Sequence, residues 1–173
     1  MQRIQLICTG KLKESFYIDA CEEYAKRLSR YCALERTELP ESGDVERDGE
    51  AVGAAIHELV HVMQAYWTKD ATNDNCPEWL SEGIADYVRW FMFEPQSGGC
   101  DYLKDAGTRA TIHYNDSYRE TASFLDYVEK EHPGTVKKAN ALMRKAKFND
   151  RVFWKEATGK TAAELEAGWK RSQ

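Results

Sequence analysis

Two histidines and a glutamate form the most chemically informative motif of this sequence, HELVH at positions 57–61. The motif lies in a segment with helical periodicity. Residues four apart share a helix face, so His57 and His61 can both reach one ion. Glu58 projects about 100° around the helix from His57, where it can accept a proton from a metal-bound water. Zinc suits this pattern because a catalytic zinc has three protein ligands and leaves one position for water.

A second pair of acidic residues, also four apart, follows in the segment WLSEGIADY at positions 79–87. Glu82 and Asp86 share one face of the next predicted helix, so both can approach the same ion. In this interpretation Glu82 is the third protein ligand. Asp86 accepts a hydrogen bond from a ligand imidazole, which we expect to be His57, and so sets the orientation and tautomer of that ring. The order of the two motifs resembles that of gluzincin-type zinc sites.

Two plainer explanations of the histidines are open at this point. A single HExxH motif can arise by chance, and both imidazoles could be hydrogen-bonded residues of a core. Glu82 and Asp86, at helical spacing in the following segment, favour a metal site over either explanation. A metal site and an active enzyme are nevertheless separate hypotheses.

The elements that must position these residues begin with a βαβ unit. Residues 3–8 and 32–39 have the composition of strands, and residues 14–31 between them have helical periodicity. The crossover between two such strands is expected to be right-handed. The polar segment 41–49, which contains two glycines, predicts a domain boundary. We therefore expect one domain at 1–41 and a second at 42–173.

The second domain is predicted to be helical, which makes the fold class α+β and mainly α. Pro77 is expected in the opening turn of one helix. Thr161 and Glu164 form a capping box at the start of the last. The polar, glycine-containing segment 94–108 predicts a surface loop. The predicted helices cover 50–67, 78–92, 117–131, 134–147, 149–157 and 161–171.

Composition narrows the possible partners and compartments. The net charge of −5 argues against a nucleic-acid surface, which needs clustered Lys and Arg. No apolar run approaches the roughly 20 residues of a membrane-spanning helix, and no secretory signal is recognised, so a cytoplasmic location is expected. Five cysteines, an odd number without a C-x-x-C pair, argue against a disulfide framework.

About three quarters of the chain, residues 42–170, resembles the basic secretory protein family of plants and bacteria, a zincin-like peptidase group. The resemblance implies a zincin-like helical fold in which His57, His61 and Glu82 bind zinc and Glu58 acts as the base. Members of the family are often secreted. The matching segments are SGDV at 42–45, HELVHVMQ at 57–64, EGIADYVR at 82–89, YRETASFLDY at 118–127 and GKT at 159–161.

The resemblance also suggests a second catalytic residue, because related gluzincins use a downstream Tyr or His to stabilise the oxyanion of the reaction. Tyr118 is the candidate, although it could equally be a core aromatic, and Tyr114 and His113 are nearby alternatives. His132 is expected to be a helix-end residue. Gln64, one turn after His61, either lines the cleft or supports packing.

The first forty or so residues resemble a different family, the SPOUT-class ribosomal RNA pseudouridine methyltransferases. The similar segments are ICTGKLKE at 7–14, EYAKRL at 23–28 and ELPE at 38–41. The glycine-rich loops that form the S-adenosylmethionine site of that family do not follow. The chain therefore resembles a chimera of two families, joined near Glu41.

These observations predict a zinc-dependent metallopeptidase that acts on a peptide or protein substrate by Glu58-assisted attack of zinc-bound water. The main alternative is a zinc-binding but catalytically silent interaction or scaffold domain. A remnant of a ribosomal RNA methyltransferase is the third possibility. The sequence does not indicate peptide specificity or oligomeric state.

Overall fold

A computed structural model of the chain describes residues 2–11, 13–30, 32–39, 45–66, 68–116 and 118–172. The fold is α+β and mainly α, as predicted. The chain divides into an N-terminal unit, Met1–Ala55, and a C-terminal unit, Ile56–Gln173. The boundary predicted between residues 41 and 42 lies outside the described residues and stays a prediction.

The N-terminal unit contains the predicted βαβ arrangement. Strands β1 (Gln2–Thr9) and β2 (Cys32–Leu39) pair in parallel, in a register that places Gln2 opposite Cys32. Helix α1 (Ser15–Leu28) connects them, because parallel neighbours need a crossover rather than a hairpin.

Little apolar surface is buried by helix α1. None of its residues is buried, and its N-cap residue, Glu14, makes no side-chain capping hydrogen bond. Cys32, at the start of β2, is buried, and its thiol lies 3.7 Å from the carbonyl oxygen of Leu28. The exposed apolar and aromatic residues of α1 are Phe16, Tyr17, Tyr24 and Leu28.

Helix α2 (Val45–Gln64) carries the HELVH motif. It begins five residues before the predicted start and ends before the predicted residue 67. Ala65, the next residue, has a φ of 51°, in the left-handed region that ends a helix.

Eight further segments follow in the described part of the chain. Pro77 is the N-cap of α3 rather than a residue of its first turn. The segment 94–108, predicted to be a loop, contains a 3-10 turn and the start of α4, so that prediction was wrong in part. The segments are α3 (Glu78–Tyr87), a π-helical turn (Val88–Phe93), the 3-10 turn (Asp101–Lys104), α4 (Ala106–Thr111), α5 (Tyr118–Glu131), α6 (Thr135–Met143), α7 (Asp150–Thr158) and α8 (Ala162–Arg171).

The C-terminal unit has a continuous aromatic and aliphatic core. The rings of Phe124 and Trp154 meet edge to face, as do those of Phe124 and Trp169. The predicted capping box of α8 is present, with Thr161 and Glu164 bonding to each other's backbone amides. The core residues are Tyr66, Leu80, Ile84, Phe124, Leu125, Val128, Ala139, Met143, Phe148, Phe153, Trp154, Leu165 and Trp169.

Helices α3 and α5 approach closely at Gly83. A Cβ atom at this position would overlap the side chain of Thr121. Thr121 is fully buried, and its hydroxyl donates a hydrogen bond to the carbonyl oxygen of Tyr114, 2.8 Å away. A glycine is therefore required on α3 where α5 crosses it, and this contact lies one turn from Tyr118.

The five cysteines have free thiols of different exposure. Cys21 is exposed on α1, and Cys32 is buried. Burial raises the pKa of Cys100 to about 12. Within the described ranges, no helix is both long and apolar enough to cross a membrane.

Candidate metal centre

Helices α2 and α3 bring together three side chains that could hold a metal ion, His57, His61 and Glu82. The two histidines lie one turn apart on α2, and Glu82 lies on α3. The Nε2 atoms of His57 and His61 are each 3.0 Å from Oε2 of Glu82, and they are 3.1 Å from each other. Each of the three residues is partly buried.

The other nitrogen of each imidazole faces a fixed oxygen. His57 Nδ1 lies 2.7 Å from Oδ1 of Asp86, and His61 Nδ1 lies 2.7 Å from Oε1 of Gln64. Gln64 and Asp86 are both buried. The Gln64 amide donates to the carbonyl oxygen of Ser81 over 2.8 Å, which directs its own oxygen towards His61.

These contacts determine which imidazole nitrogens carry protons. Since both Nδ1 atoms donate to oxygen, the neutral rings have lone pairs at Nε2. The two Nε2 atoms and the Glu82 oxygen then face one another as three electron-pair donors without a hydrogen between them. A single added proton could form a hydrogen bond across only one of the three contacts. Two nitrogens and a carboxylate oxygen in this arrangement fit a divalent transition metal ion such as zinc.

Asp86 also affects the basicity of His57. Its hydrogen bond raises the pKa of the His57 imidazole above the ordinary value, with further contributions from its charge and from Glu82. Burial acts in the opposite direction. The net effect makes His57 a more basic ring, which is what a carboxylate partner does for a metal-binding histidine.

Tyr118 lies next to this cluster, at the first residue of α5. Its ring centroid is 6.1 Å from that of His57, and the side chain is 46% exposed. The negative charge of Glu82 raises the pKa of the phenol, and Glu78, Asp86 and Glu58 add to the effect. Since a phenol is protonated at neutral pH even at the ordinary tyrosine pKa, the hydroxyl can act as a hydrogen-bond donor there.

The alternatives to Tyr118 have partners elsewhere. The Tyr114 hydroxyl donates to Asp150 over 2.7 Å, and its ring packs against Trp79 and Phe124. His113 Nδ1 lies 3.0 Å from a carboxylate oxygen of Glu166. Neither residue has a contact with the three candidate ligands in the part of the chain that the structure describes.

Gln64 is the residue whose role the sequence interpretation left undecided. Gln64 fixes the orientation of the His61 ring by accepting a hydrogen bond from Nδ1, as Asp86 does for His57. Ser81 supports it from α3, with its hydroxyl 3.2 Å from Oε1 of Gln64. The sequence contained one indication of this role, the spacing of the two residues. Gln64 follows His61 by three residues, so the two share a helix face.

The family model described as "Peptidase of plants and bacteria" matches residues 36–169, a range that contains all of the candidate site residues. No solved structure matches the chain.

The chain is also similar to a second group of proteins. It is 40% identical over 63 residues to ribosomal RNA large subunit methyltransferase H of Streptococcus pyogenes serotype M5, which is 36% of this chain and 37% of that protein. It is 38% identical over 72 residues to ribosomal RNA large subunit methyltransferase H 1 of Clostridium perfringens strain SM101, covering 35% of this chain and 45% of that protein. The chain thus spans less than half the length of these curated relatives.

Proposed function

Because the chain belongs to the basic secretory protein family of plant and bacterial peptidases, we propose that it is a zinc-dependent peptidase that hydrolyses peptide bonds. The observation that carries the proposal is the convergence of three metal-binding atoms, at 3.0–3.1 Å, within the matched range. The substrate is a peptide or protein. In this proposal residues 42–173 form the peptidase domain, and residues 1–41 a segment similar to the methyltransferases.

His57, His61 and Glu82 would hold the ion. When bound, zinc lowers the pKa of a water molecule and polarises a carbonyl oxygen. Asp86 and Gln64 keep the two imidazoles in the tautomer that directs Nε2 towards the ion. Because both are anchored on or against α3, the geometry is set before any ligand arrives.

Glu58 is the residue we assign to proton transfer. It is exposed on α2, next to His57, and its negative charge is one of those that raise the pKa of Tyr118. A carboxylate here can accept a proton from the attacking water and pass it to the leaving amine.

Tyr118 is the residue we assign to the oxyanion. Its phenol is protonated at neutral pH, the surrounding carboxylates raise its pKa further, and it can donate a hydrogen bond to the negative oxygen that develops during attack. Exposure of the side chain leaves it free to adjust to a substrate.

Zinc content and peptide cleavage test the proposal. Elemental analysis should find one zinc per chain in the wild type and a loss of zinc in His57→Ala and Glu82→Ala. His113→Ala is the matched control and should keep its zinc, because His113 pairs with Glu166 away from the site. Glu58→Gln should keep zinc while turnover of a peptide library falls by about 100-fold to 10,000-fold.

Two results would contradict the proposal. A folded wild type without zinc after supplementation would remove the metal centre. Unchanged turnover in Glu58→Gln would remove the assigned base. Zinc binding without any cleavage by the wild type would support the catalytically silent interaction or scaffold domain instead.

A further inference from the structure

A cavity of mixed polar and apolar lining lies beside the candidate metal centre. It has a volume of about 300 Å³, and one of the three candidate ligands, Glu82, lines it. Ligand pockets range from about 300 to 1,000 Å³, so this cavity has the size for one side chain rather than a whole small molecule. Residues that line it include Tyr66, Thr72, Asn73, Glu78, Ser81 and Glu82.

The lining residues that lie outside α3 are held by hydrogen bonds within the fold. The backbone amide of Thr72 donates to the Asn75 side chain over 2.8 Å, and that of Glu78 donates to Asn73 Oδ1 over 3.0 Å. The Tyr66 hydroxyl donates to Asn140 over 2.8 Å. The cavity is therefore formed before binding, which reduces the entropy cost of fixing a ligand in it.

The charge of this region is negative. Two carboxylates, those of Glu78 and Glu82, line the cavity, and Glu82 is a candidate ligand of the ion. Glu78 is therefore the carboxylate of the lining that the proposed metal centre does not use. Among the described residues, no Lys or Arg lines the cavity, and the exposed Glu78 carboxylate has no ion-pair partner.

Helix capping accounts for only part of this arrangement. An acidic residue in the first turn of α3 interacts favourably with the helix dipole, which explains why Glu78 is tolerated there. It does not explain a cavity that is lined by hydroxyl, amide, thiol and methyl groups and that opens next to both Glu78 and the candidate ligand Glu82.

We infer, on the basis of the proposed function, that this cavity binds a Lys or Arg side chain of the substrate next to the cleaved bond, with Glu78 as its ion-pair partner. The long aliphatic part of such a side chain would pass Tyr66 and Thr72. Its cationic end would meet Glu78, which makes Glu78 a residue that determines specificity.

Cleavage of matched peptides by the zinc-loaded protein tests this inference. Each position around the cleaved bond is varied among Lys, the uncharged norleucine and Glu. The wild type should prefer Lys over norleucine at one position by about fivefold in kcat/KM, the upper end for a solvent-exposed ion pair. Glu78→Gln should remove the preference, and Glu78→Lys should transfer it to Glu. Glu131→Gln, which removes the same charge at the exposed end of α5, should keep it.

Binding provides a readout that is independent of turnover. Calorimetry with the Lys and norleucine peptides on zinc-loaded Glu58→Gln should give the same fivefold preference, and adding Glu78→Gln should remove it. Cleavage without a preference for Lys, or with one that survives Glu78→Gln, would overturn the inference while the peptidase function stands. Absence of cleavage together with selective binding would sink the peptidase function and leave the cavity assignment intact.

Discussion

The two units of this chain differ in how much of their apolar surface is buried. In the C-terminal unit the side chains of Phe124 and Trp154 are 0% and 1% exposed. In the N-terminal unit Phe16 and Tyr24 are 59% and 63% exposed, and α1 has no buried residue. Both units contain regular secondary structure, so regular backbone hydrogen bonding alone does not indicate a stable core.

The difference has a physical reason. Parallel sheets are normally covered on both faces, and an isolated pair of strands is marginally stable in water. In its described part, the N-terminal unit has two parallel strands, helix α1 and the first eleven residues of α2. The C-terminal unit instead packs α3, α5, α7 and α8 around shared aromatic rings. We therefore expect most of the measurable stability to reside in the C-terminal unit.

The largest expected effect that would sharpen this comparison is the loss of a core ring. Phe124→Ala should lower the free energy of unfolding of the C-terminal unit by about 3–5 kcal/mol, because it removes a large side chain and leaves a cavity. Urea unfolding followed by tryptophan fluorescence measures this, since all five tryptophans lie between residues 67 and 169.

Leu28→Ala is the counterpart in the N-terminal unit. Leu28 is 41% exposed, so its loss should change the tryptophan transition by less than about 0.5 kcal/mol. Equal shifts for the two variants would show that the N-terminal unit contributes to the same core, and the comparison would fail.

Replacing one glycine in each unit with alanine should give the next largest changes in the free energy of unfolding, and these two changes should have opposite signs. Gly83→Ala should destabilise the C-terminal unit by about 1–3 kcal/mol, because the added Cβ overlaps Thr121 and forces α3 and α5 apart. Gly49→Ala on α2 should stabilise by about 0.5–1 kcal/mol, because nothing lies within 4 Å of an added Cβ there. Urea unfolding followed by far-UV circular dichroism measures the change in stability of both variants. A destabilised Gly49→Ala would contradict our conclusion that there is space for a side chain at position 49.

The smallest expected effect compares two helix N-termini. Thr161→Ala should cost about 1 kcal/mol, because the capping box of α8 loses its hydroxyl. Glu14→Ala should be neutral within a few tenths of a kcal/mol, because the Glu14 side chain makes no capping hydrogen bond to α1. Thermal unfolding of both variants distinguishes them, and a larger loss from Glu14→Ala would reverse our assignment.

Features that depend on neighbouring residues were the ones the sequence predicted well. The capping box of α8 needs only Thr161 and Glu164, and the shared face of His57 and His61 needs only helical spacing. The start of α2 was placed too late, since Gly49 has a low helix propensity. The start of α4 was missed, although Asp105 caps it by accepting from the Thr108 amide over 2.7 Å.

Features that depend on contacts between helices were less accessible. Periodicity shows that Glu82 and Asp86 share a face, but the contact of that face with α2 was expected from the order of the motifs and the family resemblance. The role of Gln64 depends on the Ser81 carbonyl, which belongs to another helix. The need for glycine at position 83 follows from Thr121, 38 positions away in the sequence, so no local pattern could reveal it.

The thiols of this chain differ in burial, so we expect an alkylating reagent to modify them at different rates. The thiolate is the form that an alkylating reagent attacks, so reactivity follows exposure and pKa. Cys21 is open to reagent from the first moment, whereas the buried Cys32 reacts only when the start of β2 opens. Cys100, with a pKa raised to about 12, stays inert at neutral pH for as long as its surroundings persist. The order in which Cys32 and Cys100 are modified therefore records the order in which the two units unfold, and Cys21 serves as the reference for an open thiol.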